Sequence, residues 1–270
     1  MADKRQAVTH LIQTHGLSER RACRLLKLSR SVFHYAPRPH DDADLEEALR
    51  TLAARKPRWG VKKMIAFFKN AQKPWNHKRI RRVYRALNLH VRVKPKKRFP
   101  KRDPQPLEIP SQANVSWSLD FMADSLTSGR PLRTLNIIDD FNREGLWIEI
   151  DTSLPALRVI RVLEQLAAWR GYPEQLRLDN GPELTAQVLQ DWATTHQVRL
   201  AHIQPGKPAQ NALIERFNRT YREAVLDAYL FDSLEEAQAL TEAWLVEYNT
   251  LRPHEALGNV PPYAYQPETS

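Results

Sequence analysis

Alternating apolar and polar residues predict a β-sheet in the second half of the chain. Apolar residues occupy every second position from 115 to 121, and Asp120 is one of the polar residues between them, so its side chain points away from the buried face. Further strands are predicted near 132–141, 145–151, 175–179 and 199–204, and helices after Pro155, Leu184 and Pro208. Three strands followed by alternating helices and strands indicate an α/β fold.

The stretch from 176 to 222 combines a strand end with a two-faced helix. The apolar run at 176 and 178 ends at Asp179, just before an Asn-Gly-Pro turn, which predicts Asp179 at the tip of a strand. In the helix after Pro208, polar side chains at helical spacing share one face, and these are Asn211, Glu215, Asn218, Arg219 and Arg222. The sequence therefore predicts a half-buried helix that offers a carboxylate and cations.

A last helix is predicted to begin at Ser233, with Glu236 as its capping-box partner. Its apolar positions are expected to pack on the core, and they are Leu234, Ala237, Leu240, Trp244 and Leu245. This helix and the tail behind it, residues 231–270, form a separate C-terminal segment in our division of the chain.

Residues 1–38 are interpreted as a helix-turn-helix unit. A short helix over 5–15 ends at Gly16, and Ser18 and Ser29 then cap two further helices separated by Lys27 and Leu28. The expected internal contacts are Cys23, Leu25, Leu28, Val32 and Phe33. The exposed side of the third helix would present Arg30, Ser31 and His34 to a DNA groove. The alternative is a plain three-helix unit whose arginines are solvated.

Residues 39–91 predict a second helical unit of three helices. The third of these begins after Asn76 and carries basic side chains on several faces, Lys78, Arg79 and Arg82 among them. Side chains on so many faces cannot all enter one groove, so we expect phosphate contacts rather than base recognition. Residues 92–113 lose all periodicity and form a basic, proline-rich linker.

Charge is divided unevenly between the two halves. The chain carries a formal net charge of +10, but residues 1–110 hold 28 Lys and Arg against 9 Asp and Glu, whereas the remainder holds 13 against 22. A basic front half suits contact with a polyanion, and an acidic back half suits contact with cations. The division favours DNA binding by the front half over a merely soluble basic protein.

Compartment follows from what the sequence lacks. Cys23 is the single cysteine, which leaves no disulfide framework and favours a reducing environment. No signal peptide and no apolar run of membrane-spanning length are apparent. We expect a cytoplasmic protein without membrane contact.

Five ordered blocks give the chain a family resemblance. SWSLDF, IIDDFNRE, LRLDNGPEL, PGKPAQNALIERFN and YNTLRPHEALG resemble, in order and spacing, the second-reading-frame (OrfB) product of bacterial insertion-sequence transposases. The likeness spans roughly residues 15 to 265. It implies a ribonuclease-H-like α/β core, a mixed five-stranded sheet with helices, over 114–230, preceded by all-α helix-turn-helix units.

The resemblance also implies a catalytic site. Asp120, Asp179 and Glu215 look like the DDE triad of transposases and retroviral integrases, with 35 residues between the second and third acids. All three would ligate two Mg²⁺ ions, for which Mn²⁺ is expected to substitute, with Asp120 bridging the metals. Taken singly, Asp179 is better explained as a turn residue, and Glu215 could pair with Arg219 along the helix.

Further roles are assigned around the triad. Arg222, seven residues after Glu215, resembles the family's Lys or Arg that touches the DNA end, and Arg219 lies on the same face. Lys207 could contact a phosphate, although a solvated loop lysine explains it equally well. Asn211, one turn before Glu215, is expected to orient that glutamate.

Other acids near the triad are expected to be structural. Asp139 and Asp140 are predicted to shape a strand end, and Glu183 a turn or a helix start. Glu164 is expected to face solvent beside Arg161, although a nuclease of the same fold would often use a glutamate on that helix.

The predicted function is therefore a DNA transposase that acts on the ends of its own element. It would hydrolyse a phosphodiester to leave a 3′-hydroxyl and then join that end to target DNA. We expect a homo-oligomer on DNA, and the resemblance implies a bacterial, nucleoid-associated protein that works with an upstream-frame partner or as a frameshifted fusion. The alternatives are a ribonuclease-H-like nuclease that cuts without joining, and a DNA-binding regulator with an inert core.

Overall fold

A computed structural model describes residues 2–36, 41–91, 107, 109–204 and 208–266. The chain divides into two compact units, Met1–Asp44 and Leu45–Ser270. Within these described ranges, no helix is both long enough and apolar enough to span a bilayer. Residues 92–106 and 108 of the predicted linker, and Lys207, lie outside them.

The first unit contains helices α1 (Ala2–His15), α2 (Glu19–Leu25) and α3 (Arg30–Phe33). A small core of Val8, Ala22, Cys23 and Leu28 holds them together, with Val32 and Phe33 packed against it. The expectation for Leu25 was wrong, because its side chain is 61% exposed on the outer face of α2. Lys27 adopts φ +49° in the turn, at a position that usually favours glycine.

The second unit begins with helices α4 (Ala43–Arg55), α5 (Val61–Asn70) and α6 (His77–Ala86). They share a core that includes Leu45, Leu49, Met64 and Ile80. Asn76 caps α6 as predicted, since its side chain accepts a hydrogen bond from the Lys78 amide at 2.8 Å. The three predicted helices are therefore confirmed.

A mixed five-stranded sheet follows, and it confirms the predicted fold class. The strands are β1 (Ser116–Ser125), β2 (Pro131–Asp139), β3 (Gly145–Asp151), β4 (Gln175–Leu178) and β5 (Arg199–His202). Their order is β3-β2-β1-β4-β5. The strands β1 to β3 pair antiparallel as a meander, whereas β4 and β5 run parallel to β1. The central strand β1 is the one that carries Asp120.

Helices cover both faces of the sheet. One apolar cluster contains Trp117 and Leu119 of β1 and packs under α7 (Ala156–Arg170) and α8 (Gln187–Thr195). The other packs under α9 (Ala212–Tyr221), a π-helical turn (Arg222–Leu226) and α10 (Leu234–Thr250). Since Trp117 and Leu119 face the α7 side, Asp120 faces the α9 side, as the alternation predicted.

Two helix starts differ from the sequence prediction, and one is confirmed. The predicted helix after Leu184 begins only at Gln187, because Leu184 and Thr185 turn back to bond the Gly181 carbonyl. The helix after Pro208 opens with a 3₁₀ turn before α9 begins. At the last helix, Ser233 Oγ accepts from the Glu236 amide and Glu236 Oε2 accepts from the Asp232 amide, which completes the capping arrangement.

Candidate active site

Asp120 lies in the middle of β1, directly across from Asn136 of β2. Asn218 of α9 donates from Nδ2 to Asp120 Oδ2 at 2.8 Å, and Asn136 Nδ2 donates to Asn218 Oδ1 at 2.6 Å. Asn136 and Asn218 are buried. This relay joins β2, α9 and β1, and it fixes one oxygen of the Asp120 carboxylate. The sequence placed Asn218 on the polar face of its helix but gave it no role, and it gave no signal for Asn136.

Asp179 follows the last residue of β4, as predicted for the tip of a strand. Its Oδ1 accepts from the Gly181 amide at 2.9 Å, which closes a tight turn. A Cβ on Gly181 would lie 3.0 Å from that same oxygen, so the turn favours glycine there. His202 at the end of β5 adds a contact from its Nδ1 to the Asp179 carbonyl oxygen at 3.2 Å.

Glu215 lies in the first turn of α9, and its side chain is exposed. The negative charges of Asp179 and Glu215 act on the carboxylate of Asp120. The pKa of Asp120 is raised from 3.8 to about 6, first by burial and then by the negative charges of Asp179 and Glu215, while the bonds from Phe121 N–H and Asn218 oppose the shift. The fold therefore brings three acids from β1, the end of β4 and α9 into one neighbourhood.

This neighbourhood has the donor chemistry for a hard cation. Within the described residues, no three His, Cys, Asp or Glu side chains stand close enough together to enclose a metal ion. The acids are nevertheless near enough for the charges of Asp179 and Glu215 to penalise ionisation of Asp120. Bound cations relieve such repulsion, and carboxylate oxygens suit Mg²⁺. The donor chemistry of these three residues therefore fits such an ion.

Comparison with known proteins assigns the family. The sequence matches family models described as Integrase core domain over residues 110–208 and 196–262, and as HTH-like domain over residues 39–98. It is 41% identical over 248 residues to the "Insertion element IS407 uncharacterized 31.7 kDa protein" of Burkholderia multivorans, covering 92% of this chain and 90% of the relative. The chain belongs to the insertion-sequence transposase family of the OrfB type.

Two further likenesses accompany that match. The "Insertion element IS476 uncharacterized 39.2 kDa protein" of Xanthomonas euvesicatoria is 38% identical to this transposase over 260 residues, which is 96% of this chain and 75% of the relative. Among solved structures, the HTLV-2 integrase catalytic core domain in complex with magnesium is 19% identical, with a TM-score of 0.45 over 57% of this chain and 97% of that chain.

The acids that were expected to be structural have structural partners in the transposase. Asp140 is fully buried and accepts from the hydroxyls of Ser116 and Ser118 at 2.8 and 2.6 Å, beside the Arg177 guanidinium at 2.9 Å. Asp139 accepts from the backbone amides of Asn114 and Phe141. Both therefore hold the end of β2, as predicted.

Glu164 keeps 44% of its side chain exposed, as expected for a residue that faces solvent, but it also has hydrogen-bond partners that the sequence did not predict. It accepts hydrogen bonds from Trp192 Nε1 at 2.6 Å and from the Tyr172 hydroxyl at 3.0 Å, and it lies 3.2 Å from His196 Nε2. The Tyr172 and His196 rings stack with centroids 4.2 Å apart. Glu164 therefore joins α7 to α8, on the face of the sheet opposite Asp120.

The basic residues predicted near the DNA end differ in their surroundings. Arg222 begins the π-helical turn and donates to Asp124 Oδ2 at 3.0 Å and to the Ala123 carbonyl at 2.8 Å, which ties it to the end of β1. Arg219 is exposed. Asn211 is buried before α9, and within the described residues its side chain makes no hydrogen bond to Glu215. Its predicted orienting role stays a prediction.

The predicted DNA contacts of the helical units lie mainly on exposed surfaces. In the first unit, Arg30 and His34 both approach Glu19, at 3.9 and 2.9 Å, and Ser31 Oγ lies 3.2 Å from Ser29 Oγ. On α6, Lys78 and Arg82 are exposed and Arg79 is half-buried. Their contacts with DNA stay predictions.

Proposed function

We propose that this insertion-sequence transposase uses Asp120, Asp179 and Glu215 as its catalytic carboxylates. The single observation that carries this assignment is that the charges of Asp179 and Glu215 both raise the pKa of Asp120. Acids that serve only the fold would be expected to have cationic or hydroxyl partners, as Asp140 does. Perturbed acids that gather from separate elements are typical of functional sites.

The three carboxylates would hold two Mg²⁺ ions. When bound, the ions supply charge neutralisation at the scissile phosphate and a lowered pKa for the attacking water. Asn218 and Asn136 hold the Asp120 carboxylate in place beforehand, so less conformational freedom is lost when the site assembles. Because Glu215 is exposed on α9, its carboxylate can move toward the other two acids.

The proposed reaction has two steps on DNA. In the first, water attacks phosphorus at the element end, the bond from phosphorus to the 3′-oxygen breaks, and the 3′-oxygen leaves as a hydroxyl with a proton. In the second, that hydroxyl attacks a target phosphodiester and a new 3′-hydroxyl leaves. Asp120 Oδ1 accepts from the Phe121 amide and Oδ2 accepts from Asn218 Nδ2, both at 2.8 Å, so both oxygens of this carboxylate are held in position for the ions that it would bind.

The proposed partners are element ends and target DNA, and the two helical units would provide the DNA-binding surfaces. Assembly of several copies on DNA, and work with an upstream-frame partner or as a fusion, belong to the same proposal. The exposed basic side chains of α6 support it, because such surfaces neutralise backbone phosphates.

A strand-transfer assay with pre-cleaved element ends tests the catalytic assignment. Asp120→Asn, Asp179→Asn and Glu215→Gln should each lower Mg²⁺-dependent joining by at least about a thousandfold, since each removes a metal ligand. Glu164→Gln is the matched control and should keep joining within about threefold, because Glu164 lies on the other face of the sheet. Retained joining by Asp120→Asn would make the assignment wrong.

The same assay separates the alternatives. A protein that cleaves intact element ends but does not join pre-cleaved ends to target DNA would be a nuclease. Binding of element ends with no Mg²⁺-dependent cleavage would indicate a regulator with an inert core.

A further inference from the structure

The charges of three basic side chains act on one another where helices α4–α6 pack on the catalytic core. Lys63 lies on α5, Arg216 on α9, and Arg252 two residues beyond α10. Arg252 Nη2 reaches Thr220 Oγ1 of α9 at 3.5 Å, and Lys63 Nζ lies 5.8 Å from the centre of the Trp59 ring. Both Trp59 and Arg252 line a cavity of about 390 Å³ at this junction.

None of these three cations has a carboxylate within 4.0 Å in the part of the chain that the structure describes. Two acids also line the cavity, but each already faces another cation. Glu247 pairs with Lys56, and Glu223 lies 3.9 Å from Arg58. Lys63 and Arg252 are half-buried, so water only partly compensates their charges.

The electrostatics agree with this geometry. Burial, together with the charges of Arg252 and Arg216 and against those of Glu223 and Glu255, lowers the pKa of Lys63 from 10.5 to about 8. Burial also lowers the pKa of Arg252, and Arg216 adds to that effect while Tyr248 and the nearby glutamates oppose it. The neighbouring His254 has its pKa lowered to about 3 by burial and then by these same cations. Crowding partly buried like charges costs free energy that a bound anion would recover.

We propose that Lys63, Arg216 and Arg252 form a subsite for a phosphate group of the DNA backbone, separate from the catalytic carboxylates. This inference rests on the proposed function, because DNA is the polyanion that the enzyme handles. Phosphate offers several acceptor oxygens, so donors from three elements can bind it together. Arg216 follows Glu215 directly on α9, whereas Lys63 lies on α5. One strand of DNA could therefore contact helices α4–α6 and the catalytic core at the same time.

Thermal unfolding with inorganic phosphate tests whether an anion binds at all. Phosphate should raise the melting temperature of the wild-type protein above its value in chloride of equal ionic strength. Arg252→Gln should lose that increment, and in low-salt chloride it should melt at or above the wild-type temperature because repulsion is relieved. Arg158→Gln is the matched control, since Arg158 pairs with Glu149, and it should keep the phosphate increment. An equal phosphate increment in wild type and Arg252→Gln would overturn the subsite.

Equilibrium DNA binding in EDTA tests whether the anion is a DNA phosphate. Arg252→Gln should bind DNA about tenfold more weakly, for cognate ends and unrelated duplexes alike, and its log–log salt slope should be shallower by about 0.9. Lys63→Gln should give the same losses if Arg252→Gln folds poorly. Unchanged affinity and slope in both variants would assign the subsite to free anions and overturn the DNA assignment.

The two arms keep this inference distinct from the proposed function. Binding in EDTA needs no catalysis, so failure of strand transfer leaves the binding result standing. If the wild-type protein bound no DNA, the proposed function would fail, and the phosphate increment alone would decide whether an anion subsite exists.

Discussion

At the residue scale, the structure distinguishes carboxylates that stabilise the fold from carboxylates whose charge destabilises it. Asp140 is buried among two hydroxyls and a guanidinium, whereas Asp120 is partly buried among other acids. The first arrangement gives the buried carboxylate two hydrogen-bond donors and a cation, whereas the second raises the pKa of Asp120. The two residues should therefore respond oppositely when their charge is removed.

We expect Asp120→Asn to stabilise the metal-free protein at pH 7 by about 1 to 3 kcal/mol. Because the folded-state pKa of Asp120 is raised to about 6, the folded protein binds more protons than the unfolded chain between pH 4 and 6. Wild-type stability from this group is thus present at low pH and lost as pH rises through about 6. Urea unfolding in EDTA at several pH values should show this slope in wild type and its absence in the variant.

Asp140→Asn is the contrasting variant, and it should destabilise the protein by about 3 to 5 kcal/mol because it removes the charge that the buried Arg177 faces. A stabilised Asp140→Asn, or a destabilised Asp120→Asn, would contradict this separation of roles.

Asn218→Ala should lower Mg²⁺-dependent joining by about 10- to 100-fold, as loss of a residue that positions a metal ligand commonly does. The reason is that Asp120 Oδ2 loses its hydrogen bond and the Asn136 amide loses its acceptor. Titration of joining against Mg²⁺ should show a weaker apparent metal affinity. A drop in rate with unchanged Mg²⁺ dependence would point to a different role for Asn218.

At the element scale, the docking of α10 on β3 depends on one close approach. A Cβ on Gly145 would lie 2.5 Å from Leu245 Cδ1 and 2.8 Å from Phe217 Cε2. Asn249 of α10 also accepts from the Gly145 amide and donates to its carbonyl, so the helix binds the strand edge directly. This contact fixes α10 against the sheet.

Gly145→Ala should cost about 1 to 3 kcal/mol of unfolding free energy, because the added methyl group forces α10 or Phe217 to shift. In a Leu245→Ala background the same change should cost less, since one clashing group has gone. Gly60→Ala is the control and should stay within about 0.5 kcal/mol, because nothing lies within 4 Å of its added Cβ. Equal costs of Gly145→Ala in both backgrounds would refute the clash.

Many features of the individual strands and helices were predictable from the sequence, and the features that were missed have a common physical cause. Periodicity located the strands, the polar face of α9 and the cap at Ser233, because these are relations between near neighbours in the chain. No pattern in the sequence indicated a role for Asn136, or for the basic residues Lys63, Arg216 and Arg252, because their partners come from distant elements. The hydrogen-bond partners of Glu164 were missed for the same reason, since periodicity reports which face is exposed and not what a neighbouring helix brings to it.

At the scale of the whole molecule, the uneven charge of the chain predicts how DNA affinity depends on salt. Lys78→Gln and Arg82→Gln on α6 should each weaken DNA binding and lower the magnitude of the salt slope by about 1, equally for all sequences, because phosphate contacts carry no sequence information. Ser31→Ala on α3 should instead alter the preference for element ends. Binding titrations from low to moderate salt, on end and random duplexes, distinguish the two patterns. A sequence-dependent loss for Lys78→Gln would contradict its assignment to phosphate.

The turn behind Asp179 has a consequence for the lifetime of the enzyme. An asparagine followed by glycine is the pair most prone to spontaneous deamidation, in which the glycine nitrogen attacks the asparagine side chain. Here the Gly181 amide is engaged by Asp179 Oδ1, and Asn180 Nδ2 is bonded to the Ile203 carbonyl at 3.0 Å. The attacking atom and its target are both restrained, so the same hydrogen bonds that shape the tip of the strand also slow its chemical ageing.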